Sequence, residues 1–129
     1  MPAPSPSRTP PPYVALCLEL LAPLGRVTAR AMFGGHGLYV DALMVGLVAG
    51  EQLYLKTDAQ TIEAWRAAGC QPFSYERGGG KPPIEMSYWT PPVEAFDGEH
   101  AMLPWARLAL AAALRKRAGK PAGARKRSS

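Results

Sequence analysis

Only two cysteines, Cys17 and Cys70, occur in the 129 residues. They are too few for a disulfide scaffold and too isolated to supply the paired thiolates of a zinc site. A single bridge between them stays open; as lone thiols in a reducing compartment they read as small buried hydrophobes. Histidine is equally scarce: His36 and His100 stand alone, and no H-x-x-x-H or H-x-x-E-H spacing gives either a metal-binding partner. No window approaches 18 consecutive apolar residues, so no membrane-spanning helix is expected. The stretch from Met1 to Pro12 holds six prolines and no apolar core region, which excludes a secretory signal and makes the cytoplasm the expected compartment. No G-x-S-x-G elbow is present to carry a serine nucleophile.

What the chain does have is enough apolar material for a core, 47% of its residues, and a length that fits one domain of ordinary size. Its net charge of +5 is unevenly placed. From Arg115 onward there are seven basic residues (Arg115, Lys116, Arg117, Lys120, Arg125, Lys126 and Arg127) and no acid. Between Tyr13 and Leu114 seven basic side chains face ten acidic ones, so the folded part is mildly acidic. Three regions follow: a Pro/Ser-rich arm at 1–12, a folded domain at 13–117 and a basic tail at 118–129. Neither arm nor tail carries the apolar surface needed to order itself.

Within the domain, Val14, Cys17, Leu18 and Leu21 recur at i, i+3, i+4 and i+7, predicting a helix over about 11–22 that Pro23 and Gly25 end. Thr9-Pro10 would supply its cap. The period then changes to two: Val27, Ala29, Ala31 and Phe33 alternate with Thr28, Arg30 and Met32, as in a strand with one face inward. Gly34 to Gly37 reads as a turn or bulge with His36 exposed in it. Leu38–Val40, Leu43–Ala49 and Leu53–Lys56 read as further strands, joined so tightly that they must pair antiparallel. Thr57 to Gln60 fits a capping box opening a helix that turns Ile62 and Trp65 inward and stops at Gly69. Phe73/Tyr75 and Ile84/Met86/Tyr88 start a hairpin around Gly78–Pro83. Asp97 caps a last helix to about Arg117, with Trp105, Leu108 and Ala112 on one stripe and Leu103, Leu110 and Leu114 beside it. Pro104 either kinks that helix or marks its first turn. The fold class is α+β: a two-layer domain of order α-β(3 or 4)-α-β(2)-α, with an antiparallel sheet of about five strands and helices on one face.

Neither glycine cluster reads as a phosphate site. Gly34-Gly35-His36-Gly37 sits between strands with no helix N-terminus after it, and Gly78-Gly79-Gly80-Lys81 is followed by two prolines instead of Ser/Thr. Cys17 lies on an apolar stripe where a thiol is inert, and nothing places a histidine near Cys70. Asp41, Glu76 and Glu85 could meet as carboxylates, though nothing singles them out. No catalytic residue, metal or cofactor is therefore assigned. The aromatics on the strands (Met32-Phe33, Leu53-Tyr54-Leu55, Phe73-x-Tyr75, Tyr88-Trp89) are more informative, because half must face away from the helices. That face, carrying Arg30, Lys56 and Glu76, is either wet or a partner surface. Acids lie among its aromatics and bases are sparse, which argues against a single-strand nucleic-acid platform. The tail is either a solubilising end or a means of contacting phosphates without reading bases.

Five ordered blocks carry a resemblance. Arg30-x-Met32-Phe33-Gly34-Gly35-x-Gly37-Leu38-Tyr39, Leu53-Tyr54-Leu55-Lys56, Pro72-Phe73-x-Tyr75, Met86-Ser87-Tyr88-Trp89 and Trp105-Ala106-Arg107-Leu108-Ala109 together resemble the N-terminal domain of the TfoX/Sxy competence regulators, over about residues 13–115. The resemblance implies a bacterial α+β domain of secretion-chaperone-like architecture and a transcriptional co-regulator of natural transformation with no recognised catalytic site. Full-length regulators of that kind usually carry a second, helical domain; the resemblance here covers the first. The primary expectation is thus a non-enzymatic domain that binds a protein partner of the transcription machinery. Its candidate partner face comprises Arg30, Met32, Phe33, Gly34, Gly35, Gly37, Tyr39, Lys56, Ser87, Tyr88 and Trp89. The alternative is a nucleic-acid accessory protein binding DNA through Arg115, Lys116, Arg117, Lys120, Arg125, Lys126 and Arg127. A third reading, a small enzyme, would need convergent polar residues in a pocket. The oligomeric state is open, with a homodimer among the options.

Overall fold

The computed structural model describes residues 10–32, 34–75, 79–80 and 84–119. Phe33, Glu76, Gly78, Lys81 and the tail residues Lys120, Arg125, Lys126 and Arg127 lie outside the described residues. Helix α1 runs Pro12–Leu21, strands β1 to β4 run Val27–Met32, Gly35–Val40, Leu43–Ala49 and Gln52–Lys56, and helix α2 spans Ile62–Ala67. Strands β5 (Pro72–Tyr75) and β6 (Ile84–Trp89) follow, and helix α3 spans Glu99–Ala118. Short 3-10 turns at Ala22–Leu24 and Val93–Asp97 lead out of α1 and into α3.

The strands form one six-stranded sheet in the order β1-β2-β3-β4-β6-β5, with every neighbouring pair antiparallel. The α+β class and the antiparallel sheet are as the sequence predicts; the strand count is six. The glycine cluster lengthens the second of them. Gly34 turns the chain, but Gly35, His36 and Gly37 are strand residues of β2, paired with Met32, Ala31 and Arg30. His36 accordingly pairs with Val48 across β3 and is half-buried, not exposed in a turn. The β3–β4 connection is a two-residue loop in which Gly50 and Glu51 both take positive φ, 58° and 57°. This is the primed geometry that matches the twist of paired strands.

Register explains the burial along β3. Leu38 pairs with Gly46 while Tyr39 pairs with Met44, so Val45 is an extra residue in the strand. Such a bulge turns two consecutive positions the same way, and Val45 and Gly46 are both buried. With Leu38, Val40, Val48, Leu53 and Leu55 they floor the core. Helix α3 lies over β3 and β4, and α1 packs against α3 and β1. The buried positions of α3 are Met102, Ala106, Ala109, Ala112 and Ala113. The seat is therefore lined with alanine, Trp105 and Leu108 only flank it, and Leu114 is 41% exposed. Small side chains let the helix backbone approach the sheet closely.

The ends of the helices differ in detail from expectation. Pro11 precedes α1 with no side-chain cap, and Pro12 occupies its first position, where the missing N–H is not needed. The capping box before α2 is shifted by one residue. The Asp58 carboxylate accepts from the Thr61 N–H at 3.2 Å, and the Thr61 hydroxyl accepts from the Asp58 N–H at 3.1 Å. This is the reciprocal arrangement of a box, and Thr57 takes no part in it. Asp97 closes the preceding 3-10 turn; Gly98 stands at the start of α3. Pro104 lies inside that helix, so the carbonyl four residues earlier, of His100, loses its helical donor. The helix opens at Glu99, five residues before Pro104. His100 is exposed, as expected.

Candidate functional site

The sheet has one face under the helices and one away from them, and pairing assigns each residue. In β1, Val27 and Ala29 pack against the core, so Thr28, Arg30 and Met32 point the other way. Their partners Tyr39, Gly37 and Gly35 share that outer face. Across β3 and β4 it continues through Met44, Leu47 and Tyr54, and through the pair Lys56–Tyr88 to β6. Seven of the eleven residues of the expected partner face, Arg30, Met32, Gly35, Gly37, Tyr39, Lys56 and Tyr88, are therefore brought together. Two are not. Trp89 pairs with Leu55 and packs against the core, and Ser87, two residues away, shares its side. Gly34 sits in the hairpin turn, and Phe33 lies outside the described residues.

On this face the cations rest on aromatic rings. The Arg30 guanidinium carbon stands 5.3 Å from the Tyr39 ring centroid, and the Lys56 Nζ stands 5.0 Å from that of Tyr88. Both lie within the range of cation–π attraction. Tyr54 and Phe73 meet edge-on, with centroids 4.9 Å apart. Gly37 makes room for this layer: a Cβ there would meet the Met32 sulfur at 2.7 Å and the Tyr39 ring at 3.0 Å. Lys56 is only 7% exposed. Burial, and then the positive charge of Lys116, lower its pKa, with Asp58 opposing. Burial raises the pKa of the Tyr88 hydroxyl, and nearby Tyr39 adds to the effect. Among the described residues no carboxylate lies within ion-pair distance of Arg30 or Lys56.

The other side of β6 borders an open cleft of about 270 Å³, lined by Thr57, Asp58, Ala59, Ile62, Arg66, Met86, Ser87 and Trp89. Its one carboxylate is occupied. Asp58 accepts from the Gln60 N–H at 3.1 Å and from Thr61, and it takes a bidentate pair from Arg115, Nε at 2.7 Å and the terminal nitrogen at 3.0 Å. Saturated in this way, it is not available as a general base. The pair also changes the role of Arg115, which was grouped by sequence with the phosphate-contacting tail. In the structure it ties the end of α3 to the start of α2. Of that basic group only Lys116 and Arg117 remain exposed among the described residues.

The hydrogen bonds from Arg115 are the largest influence holding the Asp58 carboxyl below its usual range; burial opposes them, and the Arg115 charge and Thr61 add. A depressed folded value means that the stabilisation is present above the unfolded value of about 3.9. It drains away as pH falls through the folded value. The difference in urea midpoint between the wild type and Asp58→Asn is expected to hold constant at neutral pH and to shrink below about pH 4. A difference unchanged into strong acid would show that the ionised carboxylate contributes nothing.

Neither thiol offers chemistry. Burial raises the Cys17 pKa to about 12, against a weaker opposing hydrogen bond from Tyr13, and burial raises that of Cys70. Both are free and buried. Among the described residues no group of three His, Cys, Asp or Glu side chains could hold a metal ion, and no helix is long and apolar enough to cross a membrane. Sequence reasoning missed the Asp58–Arg115 pair, whose members stand 57 positions apart, and the Tyr54–Phe73 contact. Strand order would have exposed the second, and the placement of α3 beside α2 the first. Among curated proteins no sequence matches this chain. A family model described as TfoX N-terminal domain matches residues 19–113.

Proposed function

As the chain belongs to the TfoX N-terminal domain family, we propose that it is a non-enzymatic regulatory domain, a transcriptional co-regulator that works by protein contact through the outer face of its sheet. The family is not a known enzymatic one. The observation that carries the reading is the pairing of Arg30 with Tyr39 and of Lys56 with Tyr88 on a face that also presents Met32, Met44 and Leu47. Cations held on aromatic rings, beside apolar side chains, suit a partner segment that brings carboxylates and apolar groups together.

The test compares the wild type with Arg30→Ser/Lys56→Met in capture of bacterial RNA polymerase and its bound regulators. The double variant is expected to lose at least tenfold in captured partner while melting no lower than the wild type, since Lys56→Met removes a buried charge. Full retention of every specific partner would sink the proposed face. A second reading rests on the charge run from Lys116 to Arg127: DNA contact through phosphates. It requires anisotropy-detected binding that falls steeply with salt and disappears when residues 118–129 are deleted.

A further inference from the structure

The two edges of the sheet are built differently. Strand β5 has four residues, opens on Pro72 and is irregular in register against β6 between Pro72 and Ser74. Shortness, a missing N–H and a bulge are the devices that keep a sheet edge from recruiting another strand. Strand β1, at the other edge, has none of them. It is six residues long and in unbroken register with β2, and it contains no proline. Thr28, Arg30 and Ala31 are exposed. Its single charge does not guard it either, because Arg30 folds back over Tyr39 of the neighbouring inner strand. Among the described residues, the outward backbone groups of β1 are thus left open for pairing.

We propose that β1 pairs antiparallel with β1 of a second copy of this chain, joining two sheets into one of twelve strands about a two-fold axis through Ala29. Two registers that match faces pair five of its six residues, one centred on Ala29 and one on Arg30. For the helix layers of both copies to lie on the same side, paired residues must share a face. Val27, Ala29 and Ala31 must therefore meet one another, and Thr28, Arg30 and Met32 likewise. Centring on Arg30 sets two guanidinium groups directly opposite, which is unfavourable. Centring on Ala29 gives Ala29–Ala29, Val27–Ala31 and Thr28–Arg30, with no like charges opposed. The same arrangement makes the two outer faces continuous, so that the Arg30–Tyr39 pairs of both copies flank the seam. An edge pairing of this length buries little area, so the dimer is a concentration-dependent one.

Sedimentation equilibrium of the full chain, from micromolar to millimolar concentration, reads the association directly. Two opposite substitutions at exposed Thr28 then read the register. Thr28→Lys places a cation against Arg30 of the partner subunit at two symmetric positions and is expected to raise the dimer dissociation constant roughly threefold to tenfold. Thr28→Glu is expected to lower it by a similar factor. Melting temperatures identify any variant that misfolds. As a further check, mixed Thr28→Cys and Arg30→Cys chains are expected to cross-link with each other on mild oxidation and not with themselves. A chain that sediments as a monomer throughout overturns the proposal, as does a dimer indifferent to both Thr28 substitutions or Arg30→Cys cross-linking to itself.

Discussion

Trp65→Ala is expected to lower the unfolding free energy by about 3–5 kcal/mol, the usual cost of emptying a large aromatic site in a core. Trp65 is fully buried and is the main anchor of a helix only six residues long. Its ring meets that of Trp105 on α3 with centroids 4.9 Å apart. Without the ring, α2 loses its hold on α3, and the Asp58–Arg115 pair bridging the same two helices is left to hold them. Urea denaturation followed by far-ultraviolet circular dichroism measures the loss. Trp65→Phe provides the contrast. The indole nitrogen is buried with no hydrogen-bond partner among the described residues, an arrangement that costs about 1–3 kcal/mol. Phenylalanine removes that burden while keeping most of the ring, so its net cost is expected to be well under half that of alanine. Equal costs for the two variants would show that the ring itself contributes little.

Gly35→Ala is the second large effect, expected at about 3 kcal/mol or more. A Cβ on Gly35 would drive into the carbonyl oxygen of Val48, a rigid backbone atom in the middle of the sheet. The strands can relieve the overlap only by separating. Gly34→Ala, one residue earlier, isolates a different cause. There the space is open but φ is +80°, so the cost is conformational and about 1–2 kcal/mol. The order of the two is the test: a Gly34 variant less stable than the Gly35 variant would mean that turn geometry, not the close approach of β2 to β3, demands glycine. Both lie in the hairpin that carries Arg30 and Tyr39, so the Gly35 variant should also disturb the outer face.

How far this was legible in the amino-acid order depends on the range of the interactions. The change from a 3.6-residue to a two-residue period at Val27, and the short loops at Asp41-Ala42 and Gly50-Glu51, announce the meander, because they are local. The outer face was largely legible too, since alternation alone sends Arg30 and Met32 one way and Ala29 the other. Its error at Ser87 and Trp89 has a simple source. The motif Met86-Ser87-Tyr88-Trp89 is contiguous, but a strand divides contiguous residues between its two faces. The glycine run misled because glycine supplies turns and close approaches alike, and at Gly35 the deciding contact, Val48, is distant in the chain. The alanine seat of α3 escaped for a related reason. Leucines at helical spacing attract notice, yet at a tight helix–sheet contact it is the small residues that fit underneath. Asp58 and Arg115 could not be paired without knowing that α3 ends beside the start of α2.

The position of α3 in the chain bears on how the protein is made. The meander β1–β4 is complete by Lys56, and its neighbours in space are neighbours in sequence. The helix that covers β3 and β4 runs from Glu99 to Ala118. During synthesis at about 5–20 residues per second, roughly 3–12 s separate the two events. Throughout that interval the apolar side of the sheet, Leu38, Val45, Val48, Leu53 and Leu55, has only α1 to shield part of it. Docking of α3 onto β3 and β4, not pairing of the strands, is therefore the step that completes the fold.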